Sequence, residues 1–144
     1  MAAARPFQTL RVMLFTISAL CGIGAILLFF ASDWLLSFLP GSAPPPSNPL
    51  ELALLKVFAI FVLALGYLLC VTARDPVRYV AVINAFIFIL LAAAVFNVYA
   101  LVALGLGAYY PPGYLIVRTI VQLILAAVIF ALRPKGTGGP LAAP

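Results

Sequence analysis

The sequence predicts an all-α protein, a four-helix transmembrane bundle running up-down-up-down with both termini cytoplasmic, and three observations carry that prediction. Residues 12–31, 52–71, 79–104 and 113–132 form four apolar runs, and a hydrocarbon core about 30 Å thick is crossed by about 20 apolar residues of helix. Hydrophobic residues make up 67% of the 144-residue chain and charged residues only 8%, which leaves too little polar surface to keep a soluble domain dispersed. The cations, finally, gather on one side of the runs. These features read as one integral membrane domain over residues 1–144, with too few residues outside the spans for a second, soluble domain.

Lys and Arg are retained on the cytoplasmic side of short loops, whereas acidic residues have little influence. Arg5 and Arg11 precede or open the first run, Arg74 and Arg78 separate the second from the third, and Arg133 and Lys135 follow the fourth. The loops at 32–49 and 105–112 hold neither Lys nor Arg. Both termini are therefore expected in the cytoplasm, beneath a plasma or inner membrane. The net charge of +5 reads as a topological signal that needs no nucleic-acid partner, with contact to anionic headgroups as a secondary use.

The first run follows Arg5 and Arg11 as a signal peptide's apolar region would, yet it exceeds the usual length of about 7–15 residues. It reads as a retained span. Its Ser18 and Gly22 stand four residues apart on one face, and small residues at that spacing let helix backbones approach closely. The expected neighbour lies in the same chain, where Ala92-Ala93-Ala94 of the third run and Ala126-Ala127 of the fourth offer small surfaces. Dimerisation through this face is the alternative. After the run, Asp33 and Trp34 could extend the helix or lie along the membrane plane, and Pro40, Pro44, Pro45 and Pro46 then set an irregular external loop.

The second run opens with Asn48-Pro49-Leu50-Glu51. Asn48 suits the cap, Pro49 the first helical position and Glu51 the first turn, where a carboxylate meets free backbone donors. Asp75-Pro76-Val77-Arg78 repeats the device before the third run. Tyr109, Tyr110, Pro111, Pro112 and Tyr114 read as an interfacial aromatic belt around the start of the fourth. The Gly-, Pro- and Ala-rich segment 136–144 reads as a disordered tail.

Chemistry is sparse. With no histidine in the chain, the commonest general base and the usual haem and transition-metal ligand are missing. Cys21 and Cys70 differ in depth by roughly 10–15 Å at a rise of about 1.5 Å per residue, so neither a disulfide nor a thiol relay is expected. Asp33, Glu51 and Asp75 are the only carboxylates, and the last two are explained as helix starts. No catalytic residue, cofactor-binding residue or metal site is expected.

Polar residues inside the spans are Lys56 in the second run, Asn84 and Asn97 in the third, and Arg118 and Gln122 in the fourth. Intramembrane charges imply a compensating arrangement. Counted from the external helix ends, Lys56 and Arg118 lie roughly 7–9 Å deep and Asn97 and Gln122 roughly 13–15 Å deep. The third and fourth runs are joined by a short loop and must be antiparallel neighbours, so Asn97 and Gln122 can bond across their interface beneath Arg118. Two accounts stand. Either the cations snorkel to headgroups and the amides tie helices together, or Lys56, Asn97, Arg118 and Gln122 form an outward-facing ligand site for a lipid headgroup or quinone.

The Pro-rich loop after the first run, together with Ala73-Arg74-Asp75-Pro76-Val77-Arg78 between the second and third, resembles the DoxX-like group of small four-helix membrane proteins. The resemblance covers the four-helix region in outline and implies a fold, with no functional residue carried over. The functional expectation is a nonenzymatic accessory or assembly subunit that packs against larger integral membrane partners and against membrane lipids. The alternative is a lipid-, quinone- or small-molecule-binding protein, or a transporter, that uses the outer polar cluster.

Overall fold

In the computed structural model, residues 7–32, 49–105 and 111–134 are described. They form four helices, α1 (Gln8–Phe30), α2 (Pro49–Arg74), α3 (Val80–Val102) and α4 (Pro112–Leu132), and no strand. At about 1.5 Å per residue each exceeds the roughly 30 Å of a hydrocarbon core. The mean hydropathy of their most apolar windows is 2.5 to 2.6, so all four are long and apolar enough to cross a membrane. The external segment with Asp33, Trp34 and Pro40, the cap residue Asn48, Tyr109 and Tyr110, and the tail 136–144 lie outside the described residues.

Local chemistry sets the helix ends. Pro49 opens α2 with Glu51 in its first turn and Arg74 in its last, each charge complementing the helix dipole. Pro111, with φ −53° and ψ 127°, precedes Pro112 at the start of α4, since a residue before proline is driven to extended backbone and proline itself suits a first helical position. At the other end of α4 Arg133 is extended ahead of Pro134 for the same reason. Gly105, with φ +64°, lies just past α3 in the left-handed region that glycine adopts without steric cost. Between α2 and α3, the Arg78 N–H donates to Asp75 Oδ1 at 3.2 Å and the Tyr79 N–H to the Asp75 carbonyl at 3.3 Å.

The helices pack chiefly as two pairs, α1 with α2 and α3 with α4. In the first pair Ser18 meets Gly66 and Phe29 meets Lys56. In the second Asn84 meets Arg133 and Asn97 meets Gln122. Numbers rise on one helix as they fall on the other, so each pair is antiparallel. Small residues line both seams: Ala25, Ala59, Gly66 and Ala73 in the first pair, Ala94, Ala100 and Ala126 among the buried residues of the second. Close approach of this kind supplies dispersion contacts, which matter most where surrounding lipid removes any hydrophobic drive between helices.

Among the described residues the two pairs share a buried core at one end. Leu10 and Leu14 of α1, Leu69 and Ala73 of α2, Ile83, Phe86, Ile87 and Leu90 of α3, and Ala126 and Ile129 of α4 form one buried cluster, with Phe7, Met13 and Leu132 packed against it. All belong to the end that carries Arg11, Arg74, Arg78 and Arg133. Phe7 sits there with φ 65°, a strained backbone for an aromatic residue, with its ring on the core and its carbonyl accepting the Arg11 N–H at 2.9 Å. Only 11% to 28% of each helix's most apolar window is buried within the protein. The outward Phe15, Leu20, Phe61, Phe88, Val95 and Val117 make an apolar surface too large for water.

Candidate functional site

The described polar side chains of the spans are engaged mostly with neighbouring helix or with their own backbone. Thr16, Thr72 and Thr119 each donate to the carbonyl four residues earlier, at 3.0, 2.7 and 2.8 Å. Such back-bonds satisfy a hydroxyl where lipid offers no partner. Ser18 Oγ instead crosses to α2 and donates to the Gly66 carbonyl at 2.6 Å. The approach there is close: a Cβ on Gly66 would lie 3.1 Å from the Cys21 Cβ and 3.2 Å from the Ser18 carbonyl oxygen.

Of the four outer polar residues, two are joined. Asn97 Nδ2 donates to Gln122 Oε1 at 2.8 Å across the α3–α4 interface, and Asn97 is only 7% exposed. Their positions fall on the seams that the buried residues trace, Ala94, Asn97 and Ala100 on α3, and Leu115, Gln122, Ala126 and Ile129 on α4. Asn97 and Thr119 also line a shallow groove of about 140 Å³ beside Leu101, Leu115 and Ile116.

Lys56 belongs to the other pair. Its Nζ stands 5.6 Å from the centroid of the Phe29 ring, at the last turn of α1. Arg118 is exposed on α4. Among the described residues no hydrogen bond or ion pair links Lys56 or Arg118 to the Asn97–Gln122 pair. Depth from the helix ends groups the four, whereas helix pairing distributes them over two seams and an outer face.

At the opposite end Asn84, read from sequence only as an in-span amide, accepts a 2.7 Å bond from Arg133 Nη1. The same guanidinium lies 3.9 Å from the Phe130 ring centroid. Arg78 stands 5.6 Å from the Tyr79 ring, and the Nε of Arg11 is buried with no bonding partner among the described residues. Cys21 and Cys70 are free thiols. Among the described residues no group of three or more Cys, Asp or Glu side chains is placed to hold a metal ion.

Gly66 is the residue whose role the sequence reading missed. The sequence offers Ala92–Ala94 and Ala126–Ala127 as small surfaces for Ser18 and Gly22, and the structure supplies Gly66 of α2 instead. A signal was present, because Ala59, Gly66 and Ala73 recur every seven residues and so mark one face of α2. No protein-family model, no curated protein and no solved structure matches this chain.

Proposed function

We propose that this chain is a nonenzymatic, multi-pass membrane subunit whose helices run up-down-up-down, with both termini cytoplasmic, and pack against a larger integral membrane assembly. The observation that carries the reading is a single glycine, Gly24, on a face of α1 turned away from the Ser18–Gly66 seam. Among the described residues a Cβ placed on Gly24 meets nothing within 4 Å, although glycine in a helix interior costs about 0.5–1 kcal/mol relative to alanine. Packing within the chain does not require glycine at position 24. A partner helix in close contact does, because small residues are what permit such contact in lipid.

Two further features support the same reading. The in-span polar groups Ser18, Asn97 and Gln122 are used in holding the helix pairs together, a structural use that needs no substrate. The end shared by all four helices is also the basic one, as the positive-inside bias requires of a cytoplasmic face. The layout, with its Asp75-Pro76 turn, resembles that of the DoxX-like group, and we keep that resemblance as a reading of fold alone. Mild-detergent extraction from the native membrane tests the proposal: the chain should leave in a larger assembly, and recovery only as a free monomer counts against it.

A second reading is a binding protein or transporter for a lipid, quinone or other small molecule. It is favoured by the groove of about 140 Å³ that runs past Asn97 on the α3–α4 pair. On that reading Asn97, Gln122, Arg118 and Lys56 serve the ligand. Arg118→Leu should then abolish retention of a copurifying small molecule, and unchanged retention removes the idea.

A further inference from the structure

The α1–α2 pair carries a groove of about 290 Å³ at the end away from the shared core, lined by Ala25, Ile26, Phe29, Phe30, Ala59 and Ile60 together with Leu63. Its floor is made of small residues: Ala25 and Ala59 are buried to 2% and 1% exposure. A methyl group leaves the space beside the seam unfilled, while branched and aromatic side chains on either flank stand above it. The groove is therefore a consequence of the same small residues that bring the two helices together. Its walls are apolar, and its lining runs from Ala25 to Phe30 on α1 and from Ala59 to Leu63 on α2, about 6–8 Å along the helices.

One cation stands next to a lining residue. Phe29 lines the groove and also carries the Lys56 ammonium 5.6 Å from its ring centroid. Lys56 is half-buried, and among the described residues it has neither a hydrogen bond nor an ion pair. An ammonium has three donors to satisfy, and a charge within a membrane span either pairs with a partner or reaches out to the headgroups. The described carboxylates do not supply one: Asp75 is at the opposite end of α2, and Glu51 is exposed in its first turn. The last turn of α1 has only backbone carbonyls to offer.

We propose that this groove seats one acyl chain of an anionic phospholipid from the external leaflet, with its phosphate held by Lys56. An apolar groove with, among the described residues, one positive charge next to its outer end complements a molecule that is an apolar chain with a negative charge at its outer end. A zwitterionic lipid matches the channel equally well, but its own cation competes with Lys56 for the phosphate. The charge therefore selects the headgroup and the groove fixes its position. This goes beyond a partner-packing role and is separable from it, since the groove lies on the Ala25–Ala59 side and can hold lipid whether or not a protein partner is bound.

The test uses the full chain reconstituted into vesicles of equimolar phosphatidylglycerol and phosphatidylcholine, re-extracted in mild detergent and weighed with its retained lipid by native mass spectrometry. The wild-type chain should retain phosphatidylglycerol in preference. Lys56→Gln should lower the ratio of retained phosphatidylglycerol to phosphatidylcholine about fivefold, the scale of one cation near a headgroup layer, and Lys56→Arg should restore it. Filling the groove at its exposed walls with Ile26→Trp and Leu63→Trp should lower retention of both lipids, with helix content by circular dichroism reporting that the chain remains folded. An unchanged ratio in Lys56→Gln overturns the proposal. So does an equal fall in Arg118→Gln, which would show that any outer cation suffices, and so does full retention by the folded, groove-filled variant.

Discussion

Ser18 Oγ donates a 2.6 Å hydrogen bond to the carbonyl oxygen of Gly66, at a close approach of α1 and α2. That bond depends on the absence of a side chain at position 66. A Cβ there would lie 3.1 Å from the Cys21 Cβ and 3.2 Å from the Ser18 carbonyl oxygen, tighter than ordinary van der Waals contact, and the oxygen belongs to a helix backbone that cannot turn aside.

Gly66→Ala is accordingly expected to destabilise the α1–α2 pair by about 1–2 kcal/mol, in the range of small overpacking effects, with Gly66→Leu costing more. Ser18→Ala should cost less, about 0.6 kcal/mol, the average for a hydrogen bond between membrane helices. Reversible unfolding of the purified chain in detergent micelles reads both. Equal stability of Gly66→Leu and the wild type would show that the close approach contributes nothing.

Gly24 gives the opposite expectation. Because a Cβ there meets nothing within 4 Å, Gly24→Ala should leave the isolated chain unchanged or raise its stability by up to about 1 kcal/mol through helix propensity. The larger Gly24→Leu should also fold, yet weaken association with the assembly. Unfolding of the isolated chain and co-extraction from the native membrane separate the two effects.

The Asn97–Gln122 bond should behave as a matched pair. Asn97→Ala and Gln122→Ala each leave a polar partner facing an apolar interface, and each should cost about 0.6–1.7 kcal/mol. In a double-mutant cycle the second substitution should cost less than the first, because no orphaned amide remains. Strict additivity would show that the 2.8 Å bond is energetically silent.

Membrane orientation can be read chemically. A single cysteine introduced at Val77, in the turn between α2 and α3, should react with an impermeant maleimide only from the cytoplasmic face, and one at Pro111 only from the outside, in a background with Cys21 and Cys70 replaced by serine. The reverse labelling pattern would invert the topology.

Much of the fold was legible because membrane spans announce themselves through length and apolarity, and the structure places helices on all four runs. The Asn97–Gln122 contact was legible for a related reason: a short loop makes α3 and α4 antiparallel neighbours, and counting from their common end sets both amides at one depth. Depth, however, is a single coordinate. Lys56 shares the outer half with Asn97, Arg118 and Gln122 by that count, but its rotation about α2 turns it toward Phe29 of α1. The same missing coordinate hid the partner of Ser18, since small residues on three helices offered suitable faces and only packing decides which pair meets. The groove beside Ala25 and Ala59 has no sequence signature, because it arises from what two seams leave unfilled.

The most direct measurement places a photo-crosslinking amino acid at position 24 of the chain in its native membrane, with position 59, which is buried in the α1–α2 seam, as the control. A subunit that packs through this face should give, from position 24 alone, one discrete adduct with a larger integral membrane protein that also co-extracts with the unmodified chain. Crosslinks from position 24 to lipid only, with the chain extracted as a free monomer, would contradict the account.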